Sequence, residues 1–192
     1  AEKTGLAPQT VSNASRRLID DGLVVEGGKQ ITGPGKPRVI LQLDPLSRYA
    51  IGVHLDPTII TYVLLDLRGN IAAHRQARTP QVTGPDDVLK VISTTIDALI
   101  ETAGISREKI LGIGIAAPGP IDSARGVIVD PPLLEAWRDV PLRDAIGAAT
   151  GLPVILEKDV IAAAVAELWT AGDEAREDFV FFYLGTGIGV GL

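Results

Sequence analysis

The chain has 192 residues, 18 Lys plus Arg against 24 Asp plus Glu for a net charge of −6, 46% hydrophobic residues, and neither Cys nor Met. That apolar fraction excludes general disorder, and the length suits one large domain or two small ones. The lack of Cys excludes disulfides, thiolate metal sites and a cysteine nucleophile within this stretch; with no signal peptide and no run of about 18 apolar residues, no membrane partner and a cytoplasmic location are expected.

The charge is uneven along the chain. Residues 1–48 carry seven basic and five acidic side chains, whereas the remainder carries eleven and nineteen. A mildly basic head on an acidic body suits a nucleic-acid-binding module tied to a second domain. Ala1-Glu2-Lys3-Thr4-Gly5 reads as the end of a helix without its beginning, and the final glycines enter a strand and stop. With no Met, a fragment cut at both ends is expected.

Pro8 suits the first position of a helix, where its missing N–H costs nothing, although Ala7 is a poor N-cap. No residue from Pro8 to Asp21 breaks the helix, and Gly22 ends it. Val11, Ala14, Leu18 and Ile19 form the apolar stripe, with Leu6 packed under the preceding turn. Gln9, Thr10, Ser12, Asn13, Arg16 and Arg17 occupy other faces. Amides and guanidinium groups can read base edges in a major groove, and hydroxyls can hold phosphates. Val24-Val25-Glu26, a Gly-rich stretch, and the alternating Val39, Leu41 and Leu43 then predict a hairpin, or wing. Its Lys29, Lys36 and Arg38 suit phosphate or a minor groove. Residues 1–48 are therefore expected to be a partial winged helix-turn-helix domain that binds double-stranded DNA. The alternative is a helical pair packed on the larger domain.

Residues 49–192 read as an α/β domain. Strands are predicted over Tyr49–Asp56, Ile59–Asp66 and Ile71–Arg78, antiparallel through short turns. A helix follows from Asp86 to Ala103, with Val88, Val91, Ile92, Ile96, Leu99 and Ile100 as its stripe. Ile110–Ala116 is predicted as a strand buried on both faces. Val154–Leu156 is another strand, Asp159–Trp169 an Ala-rich helix, and Phe179–Leu184 the last strand before the glycines. Three loops follow strands, at Ala116–Pro120, Glu157–Asp159 and Gly185–Gly189. Ligands of open α/β sheets gather beyond the carboxyl ends of strands, so these loops are expected to share one cleft. Gly185-Thr186-Gly187-Ile188-Gly189 fits either a phosphate loop or a tight hairpin. Asp159 fits either a helix cap or a general base.

The combined pattern resembles the ROK family of repressors, open reading frames and kinases. Thr4-Gly5-Leu6, Thr10-Val11-Ser12-Asn13 and Arg17 to Val24 resemble the head of its winged-helix repressors. Gly112 to Asp122 resembles the family's sugar-side strand and loop, Pro131 to Trp137 its Asn-Leu-x-x-Trp loop, and Leu184 to Gly189 its second phosphate loop. The resemblance implies an actin-like, ribonuclease-H-like ATPase lobe preceded by the winged head. It also implies a second lobe beyond Leu192, carrying the structural zinc; no metal and no cofactor are expected in residues 1–192.

Departures from the pattern favour the repressor branch over the ATP-dependent sugar kinases. Where the kinases carry Gly-x-Asp-Leu-Gly-Gly-Thr, this chain has Gly52-Val53-His54-Leu55-Asp56-Pro57-Thr58. Asp56 would repel a phosphate, and Pro57 lacks an N–H donor. Three sugar-gripping Asn positions are Leu133, Lys158 and Ile161, whereas Asp159 keeps the place of the kinases' base. Lys158 points to a phosphorylated or acidic sugar. The resulting expectation is a repressor without enzymatic activity, a homodimer or homotetramer on operator DNA, with a sugar or sugar-phosphate effector at Pro118, Gly119, Lys158 and Asp159. A residual phosphate loop would lie at Gly185, Thr186 and Gly187. The alternatives are a sugar kinase, and a repressor that has lost effector sensing.

Overall fold

The computed structural model describes residues 4–30, 38–80, 84–132, 134, 136–171, 179–185 and 187–191. The first helix, α1 (Pro8–Asp20), begins with Pro8 in its first turn, and the Asp21 N–H at its end reaches the Arg17 carbonyl at 2.8 Å. Strands β1 (Val24–Gln30) and β2 (Arg38–Leu43) pair antiparallel, from Val24 opposite Leu43 to Gln30 opposite Arg38. A bulge interrupts the pairing between Glu26 and Lys29. A Cβ on Gly27 would displace the exposed Gln42 side chain, and Gly28 has φ 123°. Gly28 thus supplies the positive φ found at this bulge.

The apolar stripe of α1 is not covered as expected. Among the described residues α1 buries no side chain, and Leu6, expected under the turn, is 51% exposed. The main neighbour of α1 is β1, and a two-stranded ribbon offers little surface to bury against.

The body is built on a five-stranded mixed sheet. Its strands are β3 (Tyr49–His54), β4 (Ile59–Asp66), β5 (Ile71–Arg78), β6 (Ile110–Ala117) and β9 (Val154–Lys158), in the order β5-β4-β3-β6-β9. The β3–β4 and β4–β5 pairs are antiparallel, as the short turns predict, and the β3–β6 and β6–β9 pairs are parallel. Helix α2 (Pro85–Ala103) buries Val88, Ile92, Ile96, Leu99 and Ile100, the predicted stripe except for the half-buried Val91. Its first turn carries Asp86 and Asp87, which complement the helix dipole, and Gly104 closes it in the left-handed conformation. These side chains meet Ile51, Val53, Ile60, Tyr62, Leu64, Ile113 and Ile115 from alternate strand positions. Each such burial is worth roughly 1.5–3 kcal/mol.

Three short elements escape the sequence reading: a small hairpin of β7 (Ile121–Asp122) and β8 (Val127–Ile128), and helix α3 (Leu142–Thr150), which adds Leu142 and Ile146 to the core. Strand β6 is not buried on both faces. Leu111 is exposed, and Gly112 and Gly114 leave the second face thinly covered. Helix α4 (Asp159–Ala171) buries Val160 and Ala164 outside the α2–α3 cluster, against Gly189 and Gly191 of β11 (Ile188–Gly191). β11 pairs antiparallel with β10 (Phe181–Leu184).

Candidate functional site

The carboxyl ends of β3, β6 and β9 open onto one cleft of about 210 Å³, closed on its far side by the β10–β11 hairpin. Leu55, Asp56 and Pro57 come from the end of β3. Pro118 and Gly119 follow β6, and Lys158 and Asp159 join β9 to α4. Tyr183, Gly187, Ile188 and Gly189 come from the hairpin, and Pro132 from the loop before Trp137. Trp137 is buried in the core, with its N–H on the Leu134 carbonyl, and so fixes that loop at the rim. The expected convergence of three post-strand loops is thus present.

Each wall follows from local chemistry. Asp56 Oδ1 accepts from the Thr58 N–H at 2.9 Å and from Thr58 Oγ1 at 2.6 Å, and the Asp56 carbonyl accepts from Thr79 Oγ1 at 2.7 Å. The turn is therefore organised around its own carboxylate. Gly119 lies against the Lys158 stem, where a Cβ would come within 3.2 Å of Cε. Asp159 Oδ1 accepts from the Val160 N–H at 2.7 Å, so its carboxylate sits in the first turn of α4 while the residue lines the cleft. The glycine segment is a hairpin turn with the Gly185 N–H on the Gly187 carbonyl, and Gly187 lines the cleft; Thr186 lies outside the described residues.

Tyr183 is the cleft residue that sequence reasoning missed. Its hydroxyl lies 3.4 Å from His54 Nε2. Burial first, then the negative charges of Asp159 and Asp56, push the Tyr183 phenol above its ordinary value of 10.0. It stays a neutral donor and acceptor at physiological pH. Alternation along β10 gives its side of the strand, but nothing local gives its distance from α4.

The head residues stand apart from this cleft. Gln9, Thr10, Ser12, Asn13, Arg16 and Arg17 are all exposed on α1 and fall within roughly 160° of arc at 3.6 residues per turn. Gln9 Nε2 donates to Asn13 Oδ1 at 3.1 Å. Lys29 and Arg38 lie on the paired strands, but their side chains, like all of Lys36 and Leu133, lie outside the described residues.

A mixed sheet with helices on both sides and a cleft at its carboxyl edge defines an actin-like, ribonuclease-H-like ATPase fold. The chain belongs to the ROK family, whose model matches residues 50–192. The xylose repressor of Caldicellulosiruptor bescii is 30% identical over 183 residues, 95% of this chain and 46% of that protein. The glucokinase of Streptomyces coelicolor is 32% identical over 142 residues, 74% of this chain and 42% of that protein. The crystal structure of a ROK family transcriptional regulator, a homolog of the E. coli MLC protein, superposes with a TM-score of 0.80 at 27% identity, over 99% of this chain and 48% of that one. The chain spans about half the length of the curated relatives it matches. No helix among the described residues is long and apolar enough to cross a membrane.

One expectation needs correction. The altered loop at His54, Asp56 and Pro57 led to an expectation of no enzymatic activity. Similarity to a glucokinase at 32% identity, and the fold shared with solved sugar kinases, overturn that flat exclusion. Substitutions in one loop leave the lobe and its cleft in place.

Proposed function

We propose that this protein is a DNA-binding transcriptional repressor whose ROK lobe binds a sugar or sugar-phosphate effector. Residues 1–48 are the DNA-binding head and residues 49–192 belong to the effector lobe. The observation that carries this reading is the reach of the similarity. Similarity to a xylose repressor and to a ROK transcriptional regulator runs through the head, whereas similarity to the glucokinase covers 74% of the chain. The exposed polar face of α1 supports it, because six side chains suited to bases and phosphates share one arc. Lys29, Lys36 and Arg38 add backbone contacts. A homodimer or homotetramer matches a two-fold operator. The effector occupies the cleft at Pro118, Gly119, Lys158 and Asp159, with Gly187 on its lining; Gly185, Thr186 and Gly187 are the residual phosphate loop. It acts by binding the DNA-free state more tightly than the DNA-bound state.

Fluorescence anisotropy with the full-length protein and a duplex from its own upstream region tests this. Specific binding should weaken strongly in an Arg16→Ala/Arg17→Ala variant, and the salt slope should fall by about two if both contact phosphate. Unchanged binding sinks the assignment.

A sugar kinase is the second reading, favoured by the Asp159 carboxylate in the cleft and by the glucokinase similarity. Against nucleotide phosphate at the β3 turn, the Thr58 donors are already taken by Asp56. Sugar-dependent ADP release in a coupled assay would establish it.

A further inference from the structure

The cleft is lined by charges of both signs. Its cation is Lys158, whose stem runs along Gly119: a Cβ on Gly119 would lie 3.2 Å from Cε and 3.4 Å from Cδ. Among the described residues, the four ion pairs are Arg107–Asp97, Arg125–Asp122, Arg138–Asp130 and Arg143–Asp144, and no carboxylate lies within 4.0 Å of the Lys158 ammonium. The neighbouring carboxylates are engaged elsewhere. Glu157 Oε1 accepts from the Lys158 backbone N–H at 2.8 Å and from Ser123 Oγ at 3.0 Å, and Asp159 Oδ1 accepts from the Val160 N–H. Among the described residues the Lys158 ammonium has no counter-ion, and Lys158 lines the cleft.

Asp56, Asp159 and Tyr183 line the same cleft. Asp56 and Asp159 both act on Tyr183, helping burial to hold its phenol protonated. Carboxylates and a neutral phenol are hydroxyl-binding groups, whereas a lysine beside Gly119 is a point charge suited to phosphate or carboxylate. The volume of about 210 Å³ lies below the roughly 300–1,000 Å³ of sites for drug-sized ligands, so it suits one small polar molecule.

We propose that the cleft is selective for a monosaccharide bearing one anionic group, a phosphate monoester or a carboxylate. Lys158 Nζ binds the anion, and Asp159 and the Tyr183 hydroxyl bind ring hydroxyls. Lys158 is thus the specificity-determining residue. This inference rests on the effector reading above and narrows it to one ligand class.

Isothermal titration calorimetry on the full-length protein tests it with glucose 6-phosphate, xylose 5-phosphate, glucuronate and galacturonate, beside glucose, xylose, galactose and inorganic phosphate. At least one anionic sugar should bind about tenfold or more tighter than its neutral parent. The phosphate and uronate arms identify which anion the site takes. Lys158→Ala should bring that sugar to the affinity of its neutral parent, and Lys158→Arg should keep most of the preference. Matching thermal melts of the variants and the parent protein would exclude misfolding as the cause. The proposal is overturned if a neutral sugar binds as tightly as its anionic counterpart, if inorganic phosphate alone binds as tightly as the sugar, if Lys158→Ala leaves the affinity unchanged, or if no sugar binds. A neutral sugar that releases operator DNA would sink only the anion preference and leave the sensing repressor standing. A failure to bind DNA would sink the repressor, while calorimetry still decides the ligand class.

Discussion

The Tyr183 hydroxyl lies 3.4 Å from His54 Nε2, and the two rings meet edge to face with centroids 6.5 Å apart. This contact ties the β10–β11 hairpin to the end of β3, across 129 positions of sequence. It also sets the Tyr183 hydroxyl in the field of two carboxylates, Asp159 and Asp56, on different loops.

Tyr183 should therefore ionise above 10.0. Tyrosinate would lose hydration in the cleft and then be repelled by Asp159 and Asp56, and all three effects favour the neutral phenol. Ultraviolet titration of the protein and a Tyr183→Phe variant isolates this tyrosine by difference. In Asp159→Asn the midpoint should move down toward 10.0, because one repelling charge is gone. A midpoint indifferent to Asp159 would contradict the arrangement of the cleft.

Long periodic elements were legible in the sequence. β4 and α2 fall where alternation or a helical stripe places them, because Ile60, Tyr62 and Leu64 or Ile92, Ile96 and Leu99 are buried at the period of their element. Helix α3 was missed because its signal is nine residues long, with only Leu142, Ile146 and Thr150 buried. The convergence of Pro118, Lys158 and Asp159 was legible, since parallel strands must end on one side. Tyr183 was not: it reaches the cleft only because Gly189 and Gly191 let the hairpin pack against Val160 and Ala164 of α4, a tertiary fact with no local sign.

Two glycines of one strand should respond unequally to Ala. A Cβ on Gly112 would lie 2.8 Å from the Pro153 carbonyl oxygen, backbone that also accepts the Ile113 N–H, so the approach of β6 to β9 must give. Gly112→Ala should cost about 1–3 kcal/mol. At Gly114 the nearest atom would be Ile155 Cγ1 at 3.8 Å, an ordinary contact. Gly114→Ala should stay within about 0.5 kcal/mol of the parent. Urea unfolding of both variants measures the difference, and equal effects would refute the packing described.

The β4–β5 turn carries its own titration signature. Asp66 Oδ2 accepts from Asn70 Nδ2 at 2.9 Å, and Oδ1 accepts from the Asn70 and Arg68 N–H groups at 2.9 and 2.8 Å. The Asn70 side-chain bond is the largest influence holding the Asp66 carboxyl below its ordinary 3.8, helped by both backbone donors and the Arg68 charge against some desolvation. A depressed carboxyl contributes stability that is present above 3.8 and lost as pH falls through the lower folded value. Asn70→Ala should move the Asp66 midpoint up toward 3.8, which carbon-detected NMR titration of the carboxyl reads directly.

Tyr62 gives the clearest stability test. Its side chain is fully buried between β4 and α2, and its hydroxyl has no hydrogen-bond partner of good geometry among the described residues. Burial, only partly offset by the neighbouring Thr95 side chain, pushes the phenol up to about 12 from 10.0. An unpaired buried hydroxyl costs about 1–3 kcal/mol, so Tyr62→Phe should leave stability at pH 7 unchanged or raise it by about 1 kcal/mol. The pH dependence has a definite sign. Below 10 both folded and unfolded states keep the proton, and the wild type gains or loses nothing through this group. Between 10 and about 12 the unfolded state ionises first, so the wild type loses stability at up to about 1.4 kcal/mol per unit, whereas Tyr62→Phe is spared this loss. Chemical denaturation at pH 7, 10 and 11 should therefore show the gap between variant and wild type widening with pH; a gap that stays constant would place a hydrogen-bond acceptor or solvent beside the Tyr62 hydroxyl.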